Sequence, residues 1–378
     1  MRRFTRLAAA AGAAIAALCF PAVAGAGQFH GPDGFGAAVF VQTNDTSGNQ
    51  IVAYQQSGRG GLREVGRTDT GGRGLALGGA AVDDLASQGG LAYDQSDGLL
   101  VGVNGGSGTI SVFHTFGTWV GFRRVVSSGG TIPVSVAVRG NLIYVLNAGG
   151  AGEVQGFYAD TLTPIPGSAR SLGLTPGLTP QFLNTPGQIG FTPNGRQLVV
   201  TTKANGSDID VFNVTIFGGL SGGPTVNSSA TPVPFGFTFD RSGDLVVTEA
   251  GTSAVTTYAV NDNGRVIERG SVTDGLAALC WVANAGNRFF YGSNAGSATV
   301  SSYTIGAQGQ PAEVGTTATD AGPIDLAAAP DGSALFVETG GSDLVDSFLV
   351  APDGSLIPTG SVSPELPGHT GLEGIAGG

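Results

Sequence analysis

A turn followed by an apolar strand returns along most of this chain, and that recurrence limits the folds open to it more than any other feature. Pro193-Asn194-Gly195 precedes Leu198-Val199-Val200-Thr201-Thr202, and Pro330-Asp331-Gly332 precedes Leu335-Phe336-Val337-Glu338-Thr339. Similar turns occur at Ser96-Asp97-Gly98, Arg139-Gly140-Asn141, Ser242-Gly243-Asp244 and Ala285-Gly286-Asn287. The marker glycines 98, 140, 195, 243, 286 and 332 are separated by 42, 55, 48, 43 and 46 residues. A period of that length fits a four-stranded propeller blade.

Each turn opens the same series. A strand such as Leu142-Ile143-Tyr144-Val145-Leu146 is followed by a Gly/Ser/Asn loop such as Asn104-Gly105-Gly106-Ser107-Gly108. Next comes an alternating strand such as Asp208-Ile209-Asp210-Val211-Phe212, with the period of two that a half-buried strand needs. A second turn such as Pro352-Asp353-Gly354 leads to a short outer strand, Leu356 to Gly360, its Asp-Gly pair supplying positive φ. Asn261-Asp262-Asn263-Gly264 falls where such a hairpin turn belongs, which explains it better than a calcium loop does.

Pro32-Asp33-Gly34, with Ala38-Val39-Phe40-Val41-Gln42 after it, is a seventh copy with no inner strand before it. Leu372 to Ala376 reads as an inner strand with no second strand after it. The two fragments complete each other and remove the edges of an open toroid. The expectation is an all-β, seven-bladed β-propeller whose ring is closed by the C-terminal strand joining the first blade. Two intervals carry extra sequence, about Gly71 to Gln88 and about Leu172 to Pro186, each a candidate cover for one mouth of the channel.

Composition agrees. Glycine supplies 66 of 378 residues without a triplet period, and charged residues are 12%. Arg2, Arg3 and Arg6, the apolar run Leu7 to Phe20 and the small residues around Ala24 read as an export signal over residues 1–26, with the propeller over 27–378. The expected location is secreted or periplasmic, with no membrane span. The formal charge of −11 becomes 14 − 28 = −14 without the three signal arginines, and Lys203 is the only lysine. Such a surface excludes nucleic acid as a natural partner. Cys280 stands alone once Cys19 leaves with the signal, and reads as a small buried residue.

The run of Pro-Asp-Gly, apolar strand, small-residue loop, alternating strand, Asp-Gly and outer strand resembles the lactonase-type seven-bladed propellers. That family comprises the 6-phosphogluconolactonase-like and carboxymuconate cyclase-like proteins. Ala329-Pro330-Asp331-Gly332-Ser333-Ala334-Leu335-Phe336-Val337 and Gly354-Ser355-Leu356-Ile357-Pro358-Thr359-Gly360 carry the likeness best. The resemblance implies opening or forming of lactone rings. The His, Arg and Glu constellation of its cyclising members finds no matching positions here, so no catalytic role is carried over.

Aligning the inner strands on the turns gives one column facing the channel: Gly90, Ser135, Gln188, Gly236, Leu279, Asp325 and Glu373. Two carboxylates crowded in a narrow channel repel, which raises one pKa and suits general acid–base work on an ester ring. The catalytic candidates are therefore Asp325 and Glu373, with His369 as a proton shuttle; Ser135 and Gln188 are the substrate-binding candidates. A water-filled channel with a polar lining is the plainer alternative. No cofactor and no metal site is expected. Partners are a small molecule or a surface ligand, and the chain is expected to act as a monomer. A lactone-acting enzyme and a non-catalytic binding or scaffolding propeller both remain open.

Overall fold

The computed structural model describes residues 36–364 and 371–378. The expected signal, the Pro32-Asp33-Gly34 turn and His369 lie outside the described residues. The repeated turns form as the sequence requires. In Asp331-Gly332-Ser333 the Asp331 carboxylate accepts from the Ser333 amide at 2.9 Å and its hydroxyl at 2.6 Å, and Asp353 and Ser355 repeat the arrangement. Such Asx turns commit the chain to reverse direction, so each apolar run becomes a strand paired with its neighbour.

The result is seven four-stranded antiparallel sheets. Their inner strands are Leu372–Gly377 for blade 1, Leu91–Asp94 for blade 2, Pro133–Arg139 for blade 3 and Gln188–Phe191 for blade 4. Pro234–Phe239, Leu279–Ala285 and Pro323–Ala328 serve blades 5, 6 and 7. Second strands such as Leu99–Asn104 are buried throughout because blades pack on both faces, whereas outer strands such as Val266–Thr273 are largely exposed. Among the described residues no helix is long and apolar enough to cross a membrane.

The ring closes as expected. Leu372–Gly377 pairs antiparallel with Ala38–Thr43, with Val39 opposite Gly377 and Phe40 opposite Ala376. Ala38 and Gly378 exchange two backbone hydrogen bonds of 2.8 Å.

One irregularity repeats and positions the site. In blades 1, 3, 5, 6 and 7 the inner strand bulges against the second strand. A bulge takes backbone groups out of the ladder and leaves them needing partners. The preceding blade supplies these. Thr201 of blade 4 donates to the Phe235 carbonyl, Thr248 of blade 5 to Cys280, and Ser293 of blade 6 to Ile324. Blade 7 has Glu338 at that position, and its carboxylate accepts from the Gly374 amide of the closing strand at 3.1 Å. These hydroxyl-to-bulge bonds tie successive blades around the axis.

Candidate functional site

The chain between the outer strand Leu62–Asp69 of blade 1 and the inner strand of blade 2 does not follow the rim. It turns inward and plugs one mouth of the channel, bonding to blades around the ring. Asn44 holds Leu75 on the blade 1 side, and the Ser87 hydroxyl donates to the Val134 carbonyl of blade 3 at 2.7 Å. That last bond serves a bulge whose preceding blade has no hydroxyl to offer. The Trp281 indole of blade 6 donates to the Ser87 carbonyl at 2.8 Å, and Gln88 makes two bonds to the Val282 backbone, at 2.8 and 3.0 Å. Two glycines make room for the plug: a Cβ on Gly340 falls 1.9 Å from the Val82 carbonyl oxygen, and one on Gly236 falls 2.0 Å from Gln88 Oε1.

The second insert joins the first. Its short helix, Gln181–Asn184, is bonded to the plug through Gly78, whose amide donates to Gln181 Oε1 at 3.0 Å and whose carbonyl accepts from the Gln181 amide at 3.1 Å. Lys203 locks the pair. Its ammonium donates to the Ala86 carbonyl of the plug and the Phe182 carbonyl of the second insert, both at 2.5 Å, and to the Thr185 hydroxyl at 3.1 Å. All three N–H groups are used, and the charge also lies 5.1 Å from the centre of the Phe235 ring. The residue is fully buried and held at a φ of 53°, a conformation that costs on the order of 1 kcal/mol or more and persists only where surroundings enforce it.

Around and beneath this latch lie four buried carboxylates: Asp83, Asp325, Glu338 and Glu373. Asp83 belongs to the plug and accepts from the Leu85, Ala86 and Ser87 amides at 3.0, 2.8 and 3.0 Å. Asp325 sits within the bulge of blade 7 and accepts from Gly89 at 3.3 Å and Leu326 at 2.9 Å. Glu373 sits within the bulge of the closing strand, accepting from the Leu85 amide at 3.3 Å and the Ser87 hydroxyl at 3.5 Å. Glu338 Oε1 has no hydrogen-bond partner among the described residues. Loss of water raises all four carboxyls, Asp325 to about 7, and repulsion from neighbouring acids adds to the rise at Asp325, Glu338 and Glu373. Burial pushes Lys203 downward against the pull of Asp83.

The expected pair of carboxylates is thus part of a larger group. Repulsion at Glu373 comes from Asp83 and Glu338, and at Glu338 from Asp325, so Glu338 stands electrostatically between the two residues picked out by alignment. Asp325 and Glu373 are no more than 5% exposed, which keeps solvent-borne molecules from them while the plug is seated. Ser135 is fully buried and donates to the Gln88 carbonyl at 2.7 Å, while Gln188 Oε1 accepts from the Phe237 amide at 2.6 Å. In this arrangement both residues serve the ring and its plug. Among the described residues no group of three His, Cys, Asp or Glu stands ready to hold a metal ion. Cys280 is buried and its thiol is pushed up to about 12, chiefly by desolvation, as suits a packing residue; His114 is exposed on its strand.

Sequence alignment alone missed three of these groups. Glu338 carried a signal, since it occupies the position where Thr201, Thr248 and Ser293 stand in other blades. Lys203 carried one too, as the only lysine of a 378-residue chain. Asp83 carried none.

The carboxylates set a pH dependence of stability. Asp325 titrates near 3.8 in the unfolded chain and near 7 in the fold. Between those values the folded chain holds more protons, so stability falls as pH rises through that range. At about 1.4 kcal/mol per unit, Asp325 alone contributes about 4 kcal/mol to the fall. Glu338, Glu373 and Asp83 act with the same sign, whereas Lys203, lowered in the fold, returns stability at alkaline pH. The turn residues Asp94, Asp331 and Asp353 are lowered and titrate below about pH 4, whereas Asp210 on the third strand of blade 4, raised to about 7 by burial, adds to the fall with the same sign, so the substitution at Asp325 assigns the channel's share. The urea midpoint is expected to be higher at pH 5 than at pH 8, and Asp325→Asn to flatten the difference. A midpoint that rises over this interval excludes the buried-carboxylate account.

No protein-family model and no curated protein matches the sequence. Solved structures do match the fold. A protein of Bacteroides fragilis assigned as a 6-phosphogluconolactonase superposes with a TM-score of 0.71 over 91% of this chain and 98% of its own, at 15% identity. The periplasmic gluconolactonase of Pseudomonas aeruginosa gives 0.70 over 87% of this chain and 96% of its own, at 16% identity. The chain has the seven-bladed propeller fold of these proteins. A Lactobacillus plantarum protein, at 20% identity and a TM-score of 0.68 over 91% of this chain and 99% of its own, shares it. In all three the superposition covers nearly the whole of the solved chain, so this propeller has the extent of that fold.

Proposed function

We propose that the chain is an exported lactonase-like propeller that opens or forms the lactone ring of a small, non-phosphorylated substrate in its channel. The observation that carries this reading is the set of buried carboxyls under the plug, with Asp325 raised to about 7. A carboxyl poised near neutrality can hold or release a proton during one turnover. In ring opening, Asp325 as carboxylate takes the proton of the attacking water, and protonated Glu373 gives one to the departing ring oxygen. His369, shortly before the closing strand, is the candidate to return protons to solvent. Ser135 and Gln188 become available to substrate once the plug withdraws, and Lys203 is the bond that must yield for it to do so. The lactonase names of the fold's neighbours support the substrate class. The basic and apolar residues of segment 1–26 support export, as does a neighbour described as periplasmic. A net charge of −11 and a lysine already committed to the latch disfavour phosphorylated lactones.

Hydrolysis across a panel of neutral and phosphorylated lactones tests this directly. Neutral lactones are expected to turn over, with kcat falling ~10²- to 10⁴-fold in Asp325→Asn and in Glu373→Gln. Turnover untouched by both substitutions removes those residues from the chemistry, and inertness toward every lactone removes the class.

A second reading, a non-catalytic binding propeller, draws on one observation. Phe116, Trp119 and Phe122 of the outer hairpin of blade 2 are 86%, 52% and 75% exposed, and the Trp119 and Phe122 rings meet edge to face at 5.3 Å. Exposed aromatic clusters of this kind are costly to solubility and suit contact with another surface. Inertness toward all lactones, together with capture of a surface ligand that Phe122→Ser abolishes, favours this reading.

A further inference from the structure

A cavity of about 280 Å³ lies beside the latch, between the loops of blade 3 and the second insert. We propose that it binds a small uncharged polyhydroxylated ring. Its apolar wall comes from Ile132, Pro176 and Leu178, and no charged side chain lines it. Thr175 and Thr179, on an exposed loop, and Gln181 and Asn184 also line it, and the two hydroxyls, Gln181 Nε2 and Asn184 Oδ1 make no hydrogen bond to the described residues.

The Thr175 backbone and the Gln181 and Asn184 side chains are held by bonds that leave these atoms free. Asn205 accepts from the Thr175 amide at 3.2 Å and donates to the Thr175 and Asn184 carbonyls, both at 3.0 Å. Asn184 uses its Nδ2 on the Pro180 carbonyl at 2.9 Å, and Gln181 uses its Oε1 on Gly78. Donors and acceptors in the same cavity as apolar side chains suit a ring that shows C–H groups on one face and hydroxyls at its edge. The volume is slightly below the ~300–1,000 Å³ of drug-sized sites, which limits the occupant to one ring. An anion gains no cationic partner here and meets a protein of net charge −11.

The cavity does not open onto the carboxylates. Thr185 is the shared wall: it lines the cavity and its hydroxyl accepts from Lys203. An occupant therefore touches the helix and the threonine that hold the plug. Binding here stands apart from the lactone reading; only a part in turnover rests on that reading.

The probes are D-glucose and myo-inositol, with D-gluconate and glucose 6-phosphate as charged controls, titrated into the full chain by amide-resolved NMR. Saturable binding of a neutral ring is expected, with shifts confined to residues 148–150 and 175–185. Affinity is expected to be at least tenfold lower for the charged controls. Asn184→Ala is expected to weaken binding about tenfold, the size of one lost hydrogen bond to a neutral partner. Ala148→Phe, which fills the cavity, is expected to abolish it; Leu178→Ser, at a half-exposed wall position, weakens it if the phenylalanine is not accommodated. No saturable binding of either neutral ring, or binding undiminished by these variants, overturns the proposal. Binding without turnover of any lactone leaves the site standing and sinks the enzyme; lactone turnover without saturable binding of either neutral ring does the reverse.

Discussion

A chain ending at Ser363 is expected to lose the fold outright. Leu372, Ile375 and Ala376 are each less than 9% exposed in the closing strand, and their removal also uncovers Phe40 and Val41 on the strand beside it. Burial of each large aliphatic or aromatic side chain stabilises by ~1.5–3 kcal/mol. A native domain has only ~5–15 kcal/mol to lose. The Glu338 carboxylate loses its Gly374 donor as well, and Asn44 loses the Gly371 carbonyl. Far-ultraviolet circular dichroism and size exclusion would show an unfolded or aggregated chain. Deletion alone cannot separate closure from loss of apolar mass, so a permuted chain provides the control. Because Gly378 lies against Ala38, residues 371–378 placed before Gly36 through a two-residue turn make an ordinary hairpin. This permutant is expected to regain a cooperative urea transition. A well-folded truncated monomer, or an unfolded permutant, contradicts closure by this strand.

Lys203→Ala is expected to cost about 3–5 kcal/mol, the usual loss when one member of a buried charged group is removed. The Ala86 and Phe182 carbonyls are left without their donor, and Asp83 loses the cation that opposes its desolvation. Hydrogen exchange gives the specific readout. Amides of the plug, residues 83–88, and of the second insert, 181–185, are expected to exchange at least a hundredfold faster, while second strands such as Leu142–Asn147 keep their protection relative to global unfolding. Lys203→Met keeps most of the volume and removes the three donors, so it separates bonding from packing if the alanine variant does not fold. Unchanged exchange at 83–88 in both variants means that the lysine is not the latch. Under the proposed function, a loosened plug also admits substrate more readily, and KM is expected to fall in whichever variant remains folded.

How far these features could be read in advance depended on how local their causes are. Asp-Gly and Asn-Gly turns act within four residues, and alternation acts within a strand, so blade number, strand order and the second and third strands could be placed from the chain itself. Closure was legible for the same reason, because a turn without an inner strand and an inner strand without a turn are each visible as fragments. The structure places the closing strand at Leu372–Gly377, one residue longer than Leu372 to Ala376. Asp325 and Glu373 stood out as lone carboxylates on strands that should be small or apolar, and both lie in the buried axial region. Their bulges, which decide where those carboxyls point, have no sequence mark beyond the hydroxyl column of the preceding blades.

The sequence by itself determined a seven-bladed ring closed by its C-terminal strand, since turn chemistry and strand alternation repeat with a period short enough to be seen. The tertiary structure alone decided that the channel is plugged, that four carboxyls share it with one lysine, and that Lys203 joins two inserts. Ala86 lies 117 residues from Lys203, and Leu85 lies 288 residues from Glu373. No local propensity links positions so far apart. They meet only because closing the ring brings every inner strand to one axis, where water is scarce and buried acids shift one another's pKa.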